Sequence, residues 1–226
     1  MIEISQLVEN LENSFKLSAS EANSIAMSKY MKGHFSFFGL KAEKRKEIQR
    51  SWLNQFPKES TSEFRWEILK ELFNKEEREF QYVAIDWLNN WNKKEISASD
   101  SEGIKWLITN KSWWDSVDSI ASNFLGKYCQ NFPDAGSELI EEWRLSDNLW
   151  LQRSCLIFQL KYKEKVNFAL LKSLIIQFQQ DKEFFIQKAI GWSLRQYSKS
   201  EPDAVQKFVE EIQLKGLAKR EAIKYI

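Results

Sequence analysis

The sequence predicts an all-α protein, and three observations favour that class. Apolar residues recur at helical spacing along the whole chain, and no stretch alternates in the way that a half-buried strand does. Only 7 glycines and 3 prolines occur among 226 residues, whereas an all-β fold needs turn residues every ~8–12 positions. Hydrophobic residues make up 43% of the chain and charged residues 29%, which is typical of a globular protein rather than a disordered one.

The predicted helices follow one another in chain order. The first carries one apolar stripe, formed by Ile4, Leu7, Val8, Leu11 and Phe15. A capping box at 18–21 opens the second helix, which runs to Met31 and is followed by a glycine-bounded apolar loop over 33–39. A charged helix over 41–56 is stopped by Pro57, because proline lacks a backbone donor. Further helices are predicted at about 60–73, 76–92, 99–108, 112–131, 135–145, 147–163, 166–179, 182–198, 202–213 and 217–225.

A repeat of about 35 residues runs through the later part of the chain. One column recurs at steps of 35, 36 and 35 residues and consists of Gln81, Ser116, Gln152 and Gln187. Two residues before it lies a second column, which consists of Glu79, Trp114, Trp150 and Phe185. A fixed period built from two helices predicts stacked helix pairs. Because the Trp-Leu-Gly pattern of TPR repeats is absent, we expect a HEAT-like solenoid that forms one domain over 1–226. The second helix of each pair is expected to line a concave groove.

The scarce residue types exclude several kinds of enzyme. His34 is the single histidine, and Cys129 and Cys155 are the two cysteines, whereas a zinc site needs about three or four ligands at short spacing. A Ser-His-Asp or Cys-His enzyme would depend on His34 alone, and we interpret this residue as a loop histidine. The glycine motifs that bind phosphates and the G-x-S-x-G nucleophile motif are also absent.

Signals that direct a protein to a membrane are not found either. The N-terminus is acidic and lacks a long apolar core, so we expect no signal peptide. No apolar run approaches the ~18 residues that a membrane span needs. The two widely spaced cysteines favour reduced, buried thiols. These observations predict a cytoplasmic protein.

Charge is nearly balanced over the chain but unevenly distributed. Lys and Arg number 33 against 32 Asp and Glu. Residues 147–226 hold 14 Lys and Arg and 9 Asp and Glu, whereas residues 1–146 hold 19 and 23. A basic excess interleaved with aromatic residues suits the backbone of a nucleic acid. By charge alone, a Lys-rich face that only meets solvent also explains the excess.

Asp118 is the first candidate for chemistry. Ser112, with Asp115 three residues later, indicates a capping box that starts a helix at Ser112 and gives Asp115 a structural role. Asp118 has no such role, and its spacing of four residues from Trp114 places both side chains on one helix face. The alternative interpretation is an ordinary surface aspartate beside a core tryptophan.

Arg153 is the second candidate, because it interrupts an otherwise apolar helix that Ser146 or Asp147 would cap. Its guanidinium could clamp a phosphate or pair with the carboxylate of a neighbouring helix. At the C-terminal end of the same predicted helix, where cations complement the helix dipole, the chain has Lys161, Lys163 and Lys165.

A basic stripe with an indole at its centre follows near the C-terminus. Lys188, Trp192 and Arg195 recur at i, i+4 and i+7 of one predicted helix. Gly191, next to the indole, costs a helix about 1 kcal/mol relative to alanine. We therefore expect either a neighbouring helix or a ligand to lie close to Gly191.

Seven longer segments of the chain carry a more specific pattern. They are YMKGHFSFFGL, EREFQYVAIDWL, TNKSWWDSVDSI, SDNLWLQR, FQLKYK, KEFFIQKAIGWSLRQY and KREAIKYI. Together and in this order they resemble the AlkD-like DNA alkylation repair glycosylases over roughly 26–226. The resemblance implies a HEAT-like solenoid, in agreement with the repeat. It also implies excision of N3- and N7-alkylated purines from duplex DNA without a metal or organic cofactor, in the bacterial cytosol or nucleoid.

Individual roles also follow from the resemblance. The family's catalytic aspartate falls on Asp118. Its two groove tryptophans fall on Trp114 and Trp192, and its key arginine falls on Arg153, which is expected to hold phosphates beside the lesion. The tyrosine of its Y-M-K motif falls on Tyr30, which is expected to contact DNA as well.

Two further segments are expected to hold DNA phosphates. One is the basic stripe with Lys188 and Arg195. In the other, the chain has Ala-Glu at 42–43 where relatives have Thr-Pro. Arg45 and Lys46 keep the family's basic pair there and are expected to anchor a phosphate.

The chemistry that the resemblance implies needs no general acid, because an N3- or N7-alkylated purine is already cationic and leaves readily. Asp118 would stabilise the oxocarbenium-like sugar, and the indoles of Trp114 and Trp192 would face it. Two other functions stay open from the sequence. One is a non-catalytic DNA-structure-binding protein on the same scaffold, and the other is a peptide-binding solenoid, whose binding would be insensitive to salt. A monomer is expected in each case.

Overall fold

Helices make up nearly all of the regular structure in the computed structural model, which describes residues 3–56 and 61–226. No strand occurs within these ranges, and the predicted all-α class is confirmed. The chain divides into two compact units, unit 1 (Met1–Trp91) and unit 2 (Asn92–Ile226). The single domain expected over 1–226 stays a prediction.

Unit 1 is built from helices that match the sequence prediction with shifted ends. They are α1 (Ile4–Leu17), α2 (Glu21–Tyr30), α3 (Ala42–Leu53), α4 (Ser62–Asn74) and α5 (Arg78–Asn89). The predicted stripe of α1 is buried at Leu7, Val8, Leu11 and Phe15. The predicted capping box at 18–21 is wrong, because Ser20 caps α2 by accepting a hydrogen bond from the backbone N–H of Asn23. The helix predicted over 41–56 is α3, and its predicted stop, Pro57, lies outside the described residues.

A buried glutamate of α5, Glu79, holds the glycine-bounded loop that precedes α3. Its carboxylate accepts hydrogen bonds from the backbone N–H groups of Phe38, Gly39 and Leu40 at 3.2, 2.9 and 3.0 Å. Gly39 has a φ of +88°, and a Cβ there would lie 2.1 Å from the carbonyl oxygen of Ser20. Burial raises the pKa of the Glu79 carboxyl, and the three N–H donors offset part of this rise. The buried carboxylate of Glu79 therefore holds this loop in place.

Unit 2 contains the later helix pairs. Its helices are α6 (Ser101–Thr109), α7 (Trp114–Ser119), α8 (Gly126–Asn131), α9 (Pro133–Arg144), α10 (Leu149–Ile157), α11 (Phe168–Phe178), α12 (Phe184–Tyr197), α13 (Pro202–Glu211) and α14 (Gly216–Ala222). A π-helical segment, Ile120–Leu125, joins α7 to α8.

The helix predicted over 147–163 is shorter at both ends. It is α10, which is capped by Asn148, whose side chain accepts from the backbone N–H groups of Trp150 and Leu151 at 2.9 and 3.2 Å. The predicted caps, Ser146 and Asp147, are therefore wrong. The helix ends at Ile157, so the three lysines at 161, 163 and 165 lie beyond its last turn.

The repeat of about 35 residues corresponds to one recurring side-chain contact. Gln81, Gln152 and Gln187 lie near the start of α5, α10 and α12, and each donates from Nε2 to one or more backbone carbonyls at the end of the preceding helix or in the three residues after it. The acceptors are Leu72, Phe73 and Lys75 for Gln81, Ser146 for Gln152, and Gln179 and Asp181 for Gln187. These bonds satisfy carbonyls that a helix end leaves without a partner. Ser116, the remaining member of the column, donates instead to the carbonyl of Trp113.

The second helices of successive pairs pack side by side in unit 2, with α7 against α10, α10 against α12, and α12 against α14. The approach of α14 to α12 is close at Gly191. A Cβ at this position would lie 2.3 Å from the Cβ of Glu221 and 2.9 Å from the carbonyl oxygen of Ala218. Of the two partners expected for Gly191, a neighbouring helix is the one observed.

Gly191→Ala is expected to lower the free energy of unfolding by up to about 2 kcal/mol. An unhindered substitution of this kind in a helix gains about 1 kcal/mol, but the new methyl group would force α14 away from α12, and overpacking costs about 1–3 kcal/mol. Urea denaturation of the wild type and the variant measures the difference. A gain in stability would contradict the close contact.

Candidate functional site

Helix α7, which carries Asp118, begins two residues later than the sequence indicates. The predicted start at Ser112 is wrong, because the Ser112 hydroxyl donates to the Ile108 carbonyl at the end of α6, at 2.6 Å. The first residue of α7 is Trp114. Both Trp114 and Asp118 are half-buried, as expected for two side chains on one face at the edge of a cavity.

A widened helical turn begins two residues after Asp118. The π-helical segment Ile120–Leu125 is accompanied by two side chains that bind the backbone one turn earlier. The hydroxyl of Ser122 donates to the Asp118 carbonyl, and the amide of Asn123 donates to the Ser119 carbonyl, both at 2.7 Å. Such bonds compete with the regular helical ladder. Short π-helical segments are rare and occur frequently at functional sites.

Arg153 of α10 binds the Asp118 carboxylate with two nitrogens. Its Nε lies 2.7 Å from Oδ1 and its Nη2 lies 2.8 Å from Oδ2. The third nitrogen, Nη1, donates to the backbone carbonyl of Phe185. The pairing with a carboxylate of a neighbouring helix, one of the two partners expected for Arg153, is therefore observed, and contact with a DNA phosphate stays a prediction. The Arg153 side chain is 5% exposed and that of Asp118 is 16% exposed, so only the aspartate opens to solvent.

Burial raises the pKa of the Asp118 carboxyl above its ordinary value, and the hydrogen bonds from Arg153 offset part of this rise. The carboxylate is held by a rigid guanidinium and is poorly solvated. A charge in such surroundings interacts strongly with any charge that develops next to it, and needs no reorganisation to do so. Asp118 is therefore suited to stabilise a cation that forms in the adjacent cavity.

A cleft of about 240 Å³ opens at this ion pair. Its lining comes from α7, α10, α12 and α14 and consists of Trp114, Asp118, Arg153, Phe184, Phe185, Lys188, Trp192, Arg195 and Glu221. All six candidates that the sequence placed in unit 2 are among these residues. The volume is below the range of about 300–1,000 Å³ that is typical of pockets for drug-sized ligands. It suits a single sugar or base.

The basic stripe of α12 is paired with one acid of α14. Lys188 Nζ lies 2.9 Å from Oε1 of Glu221, and Nη1 of Arg195 binds Oε2 of the same carboxylate. These contacts, with that from Lys188 first, lower the pKa of the Glu221 carboxyl. Trp192 lies between the two cations in the helix. The cluster has two positive charges for one negative charge, and this excess faces the cleft.

Comparison with known proteins identifies the family. Residues 11–226 match the sequence model of the family described as "DNA alkylation repair enzyme". The chain belongs to this family. A predicted DNA alkylation repair enzyme from Enterococcus faecalis is 37% identical, with a TM-score of 0.83, over 92% of this chain and 96% of that one.

Two more distant structures share the fold. AlkD2 from Streptococcus mutans is 16% identical, with a TM-score of 0.67, over 99% of both chains. The protein smu.31 from Streptococcus mutans UA159 is 18% identical, with a TM-score of 0.61, over 80% of this chain and 92% of that one. No curated protein matches the chain. The resemblance to AlkD-like repair enzymes and the helical-repeat fold are confirmed, and membership of the DNA alkylation repair family supports a role in DNA repair.

Three lining residues of this DNA alkylation repair family member were not predicted as site residues. Phe185 could have been predicted from the sequence, because it occupies the same repeat column as Trp114. Phe184 is 55% exposed and precedes the column by one residue. Glu221 could not have been predicted as a site residue, because in the sequence a glutamate of the charged KREAIKYI segment looks the same as any solvent-exposed helix residue.

An aromatic cluster supports the ion pair from within unit 2. The rings of Trp113 and Trp150 have centroids 5.8 Å apart, and Phe185 lies 5.2 Å from the first and 5.0 Å from the second. The guanidinium carbon of Arg153 is 5.7 Å from the centroid of the Phe185 ring. The cluster thus fixes both the carbonyl and the ring that Arg153 contacts.

The site residues predicted in unit 1 differ in how buried they are. Arg45 is buried, and its Nη1 lies 2.8 Å from Oδ2 of Asp86, with the guanidinium carbon 5.3 Å from the Tyr82 ring centroid. Its expected role as a phosphate anchor stays a prediction, and a phosphate that binds there would have to share Arg45 with Asp86, whose side chain is 31% exposed. Lys46 is exposed on α3, and Tyr30 is 70% exposed at the end of α2.

The remaining residues with potentially reactive side chains are the single histidine and the two cysteines. His34 is exposed in its loop. Cys129 and Cys155 are free thiols, and burial raises the pKa of Cys129 to about 12 and raises that of Cys155 as well. Over 3–56 and 61–226, no group of three or more His, Cys, Asp or Glu side chains could hold a metal ion. No helix within the described part of the chain is long and apolar enough to cross a membrane.

Proposed function

We propose that the chain is a DNA glycosylase that excises cationic N3- and N7-alkylated purines, such as 7-methylguanine and 3-methyladenine, from duplex DNA in base excision repair. The observation that carries the proposal is the Asp118 carboxylate, fixed by Arg153 in a cleft that Trp114 and Trp192 also line. Family membership supports the repair role. The protein would act as a monomer on duplex DNA.

The proposed reaction is hydrolysis of the N-glycosidic bond. The electron pair of the bond between the sugar C1′ and the base leaves with the alkylated purine, which thereby becomes neutral. Water adds its oxygen to C1′ and releases one proton. Asp118 stabilises the positive charge that develops on the sugar and orients the water. The indole faces of Trp114 and Trp192 add cation–π stabilisation of roughly 0.5–2 kcal/mol.

Arg153 acts in this proposal as a positioning residue for Asp118. All three of its nitrogens have partners within the protein, which argues against the phosphate clamp considered from the sequence. We assign the phosphate contacts to Lys188 and Arg195, whose side chains are more exposed than that of Arg153, at 39% and 22%. Lys46 and Tyr30 are further candidates for DNA contact in unit 1.

The proposal is tested by comparing a duplex that carries one 7-methylguanine with the same duplex without it. Release of free base from the first duplex alone is the expected result. Absence of release, together with DNA binding that weakens as salt rises, would instead favour a non-catalytic DNA-structure-binding protein. Absence of any DNA binding would favour a peptide-binding solenoid.

Excision is expected to decline with falling pH, with a midpoint above the ordinary aspartate value of about 3.9. The reason is that burial raises the pKa of Asp118, and the protonated carboxyl has no charge with which to stabilise the sugar cation. Single-turnover rates between about pH 4 and 8, corrected for spontaneous release without protein, measure the midpoint. A rate that stays constant over this range would contradict the assignment.

A further inference from the structure

We propose that Glu221 occupies, in the free protein, the place that one backbone phosphate of DNA takes between Lys188 and Arg195. The inference rests on the proposed DNA-binding function and deepens it, since it names both the ligand of this site and the group that competes with it. The ligand is a phosphodiester, and its competitor is a carboxylate of the protein itself.

The two cations converge although their backbones are far apart. Lys188 and Arg195 are seven residues apart in α12, so their Cα atoms are separated by about 10.5 Å along the helix axis. Their terminal nitrogens nevertheless bind the two oxygens of one carboxylate. Two cationic donors that meet at a pair of anionic oxygens also match the non-bridging oxygens of a phosphodiester.

This ion-pair cluster is the accessible one of the two in the cleft. Glu221 and Arg195 are each 22% exposed and Lys188 is 39% exposed, whereas Arg153 is 5% exposed in its pair with Asp118. These side chains are partly exposed, and ion pairs that solvent reaches are weaker than fully buried ones because solvent screens them. A phosphate in the cleft therefore reaches the α12 cations without breaking a buried pair.

Glu221 lies where α14 packs closely on α12. Its Cβ lies over Gly191, where a Cβ of residue 191 would be only 2.3 Å away, and Ala218 and Ala222 of α14 are fully buried, so we expect α14 to stay in place when DNA binds. When a phosphate displaces the carboxylate, the side chain of Glu221 can swing aside, but its negative charge stays near the phosphate. The carboxylate therefore opposes DNA binding both by occupying the cations and by like-charge repulsion.

The test is the affinity of Glu221→Gln for an undamaged duplex, measured by fluorescence anisotropy at several salt concentrations. We expect binding about three- to tenfold tighter than that of the wild type. We also expect a steeper dependence of log K on log salt, by up to about one unit, because the freed cations release counterions from the DNA. Glu138→Gln, an exposed position of α9 outside the cleft, carries the same charge change and is expected to alter affinity by less than about twofold.

Weaker or unchanged binding by Glu221→Gln, or a shallower salt dependence, would overturn the inference and make Glu221 a residue that only positions the cations. A second comparison does not depend on that variant alone. Glu221→Asp keeps the charge but shortens the reach to both cations, and its affinity is expected to lie between those of the wild type and Glu221→Gln. An affinity below that of the wild type would contradict the exchange. If the wild type itself binds no DNA at low salt, the proposed function fails as well, whereas wild-type binding with an unaffected Glu221→Gln variant overturns this inference alone.

Discussion

Asp118→Asn is expected to lower the single-turnover rate of 7-methylguanine release by about 10²–10³-fold, with little change in DNA affinity. Asparagine has nearly the same shape as aspartate but lacks the charge that stabilises the sugar cation. One preorganised group of this kind is worth about 2.7–4 kcal/mol of transition-state stabilisation. The measurement uses excess protein and a duplex with a single lesion, so that the rate reports the chemical step.

The matched control for this variant is Asp134→Asn, which makes the same change at an exposed position in the first turn of α9. Its excision rate is expected to equal that of the wild type. Because Asp118→Asn leaves the buried Arg153 without its carboxylate, both variants are assayed at a temperature at which thermal melting shows them folded. Release by Asp118→Asn at nearly the wild-type rate would mean that the catalytic assignment is wrong.

Arg153→Met is expected to destabilise the protein by about 3 kcal/mol and to reduce excision. It leaves the Asp118 carboxylate partly buried without a partner, and breaking such a pair costs about 3–5 kcal/mol when burial is complete. For a chain of this size the melting temperature should fall by roughly 6–12 °C. Thermal and urea unfolding measure the loss, and single-turnover excision measures the effect on the chemistry.

Two companion variants separate positioning from phosphate binding. Asp118→Leu combined with Arg153→Met is expected to regain most of the stability without regaining activity, because replacing both members of a buried pair is often neutral. Arg153→Lys keeps the charge but cannot bind both carboxylate oxygens, so its excision rate should lie between those of the wild type and Arg153→Met. If Arg153→Met lowered DNA affinity and reduced the salt slope by about one unit, Arg153 would be a phosphate ligand instead.

The repeat and its principal face were predictable because they depend on local spacing. Gln81, Gln152 and Gln187 perform one task at the end of one helix and the start of the next, so their contacts recur with the period of the sequence. The same holds for Trp114 and Asp118, whose separation of four residues already places them on one face. Patterns of this kind need no knowledge of distant parts of the chain.

The features that sequence analysis missed depend on partners far away in the chain. Arg45 has the composition of a surface cation, and only the approach of Asp86, 41 residues later, shows that it is buried and paired. Glu221 becomes a cleft residue because α14 packs against Gly191. Helix starts were misplaced because several Ser, Asp and Asn residues compete as caps, and tertiary contacts decide among them. In α10 the N-cap is Asn148.

The reaction products show most directly whether the cleft hydrolyses the N-glycosidic bond of an alkylated purine. Wild-type protein is incubated with a duplex that carries one 7-methylguanine, and free base and alkali-labile abasic sites are quantified in the same samples. Both are expected to appear in equal amounts with the wild type, and to form about 10²–10³-fold more slowly with Asp118→Asn once spontaneous release is subtracted. A wild-type protein that binds the duplex but yields no free base would contradict the proposed hydrolysis.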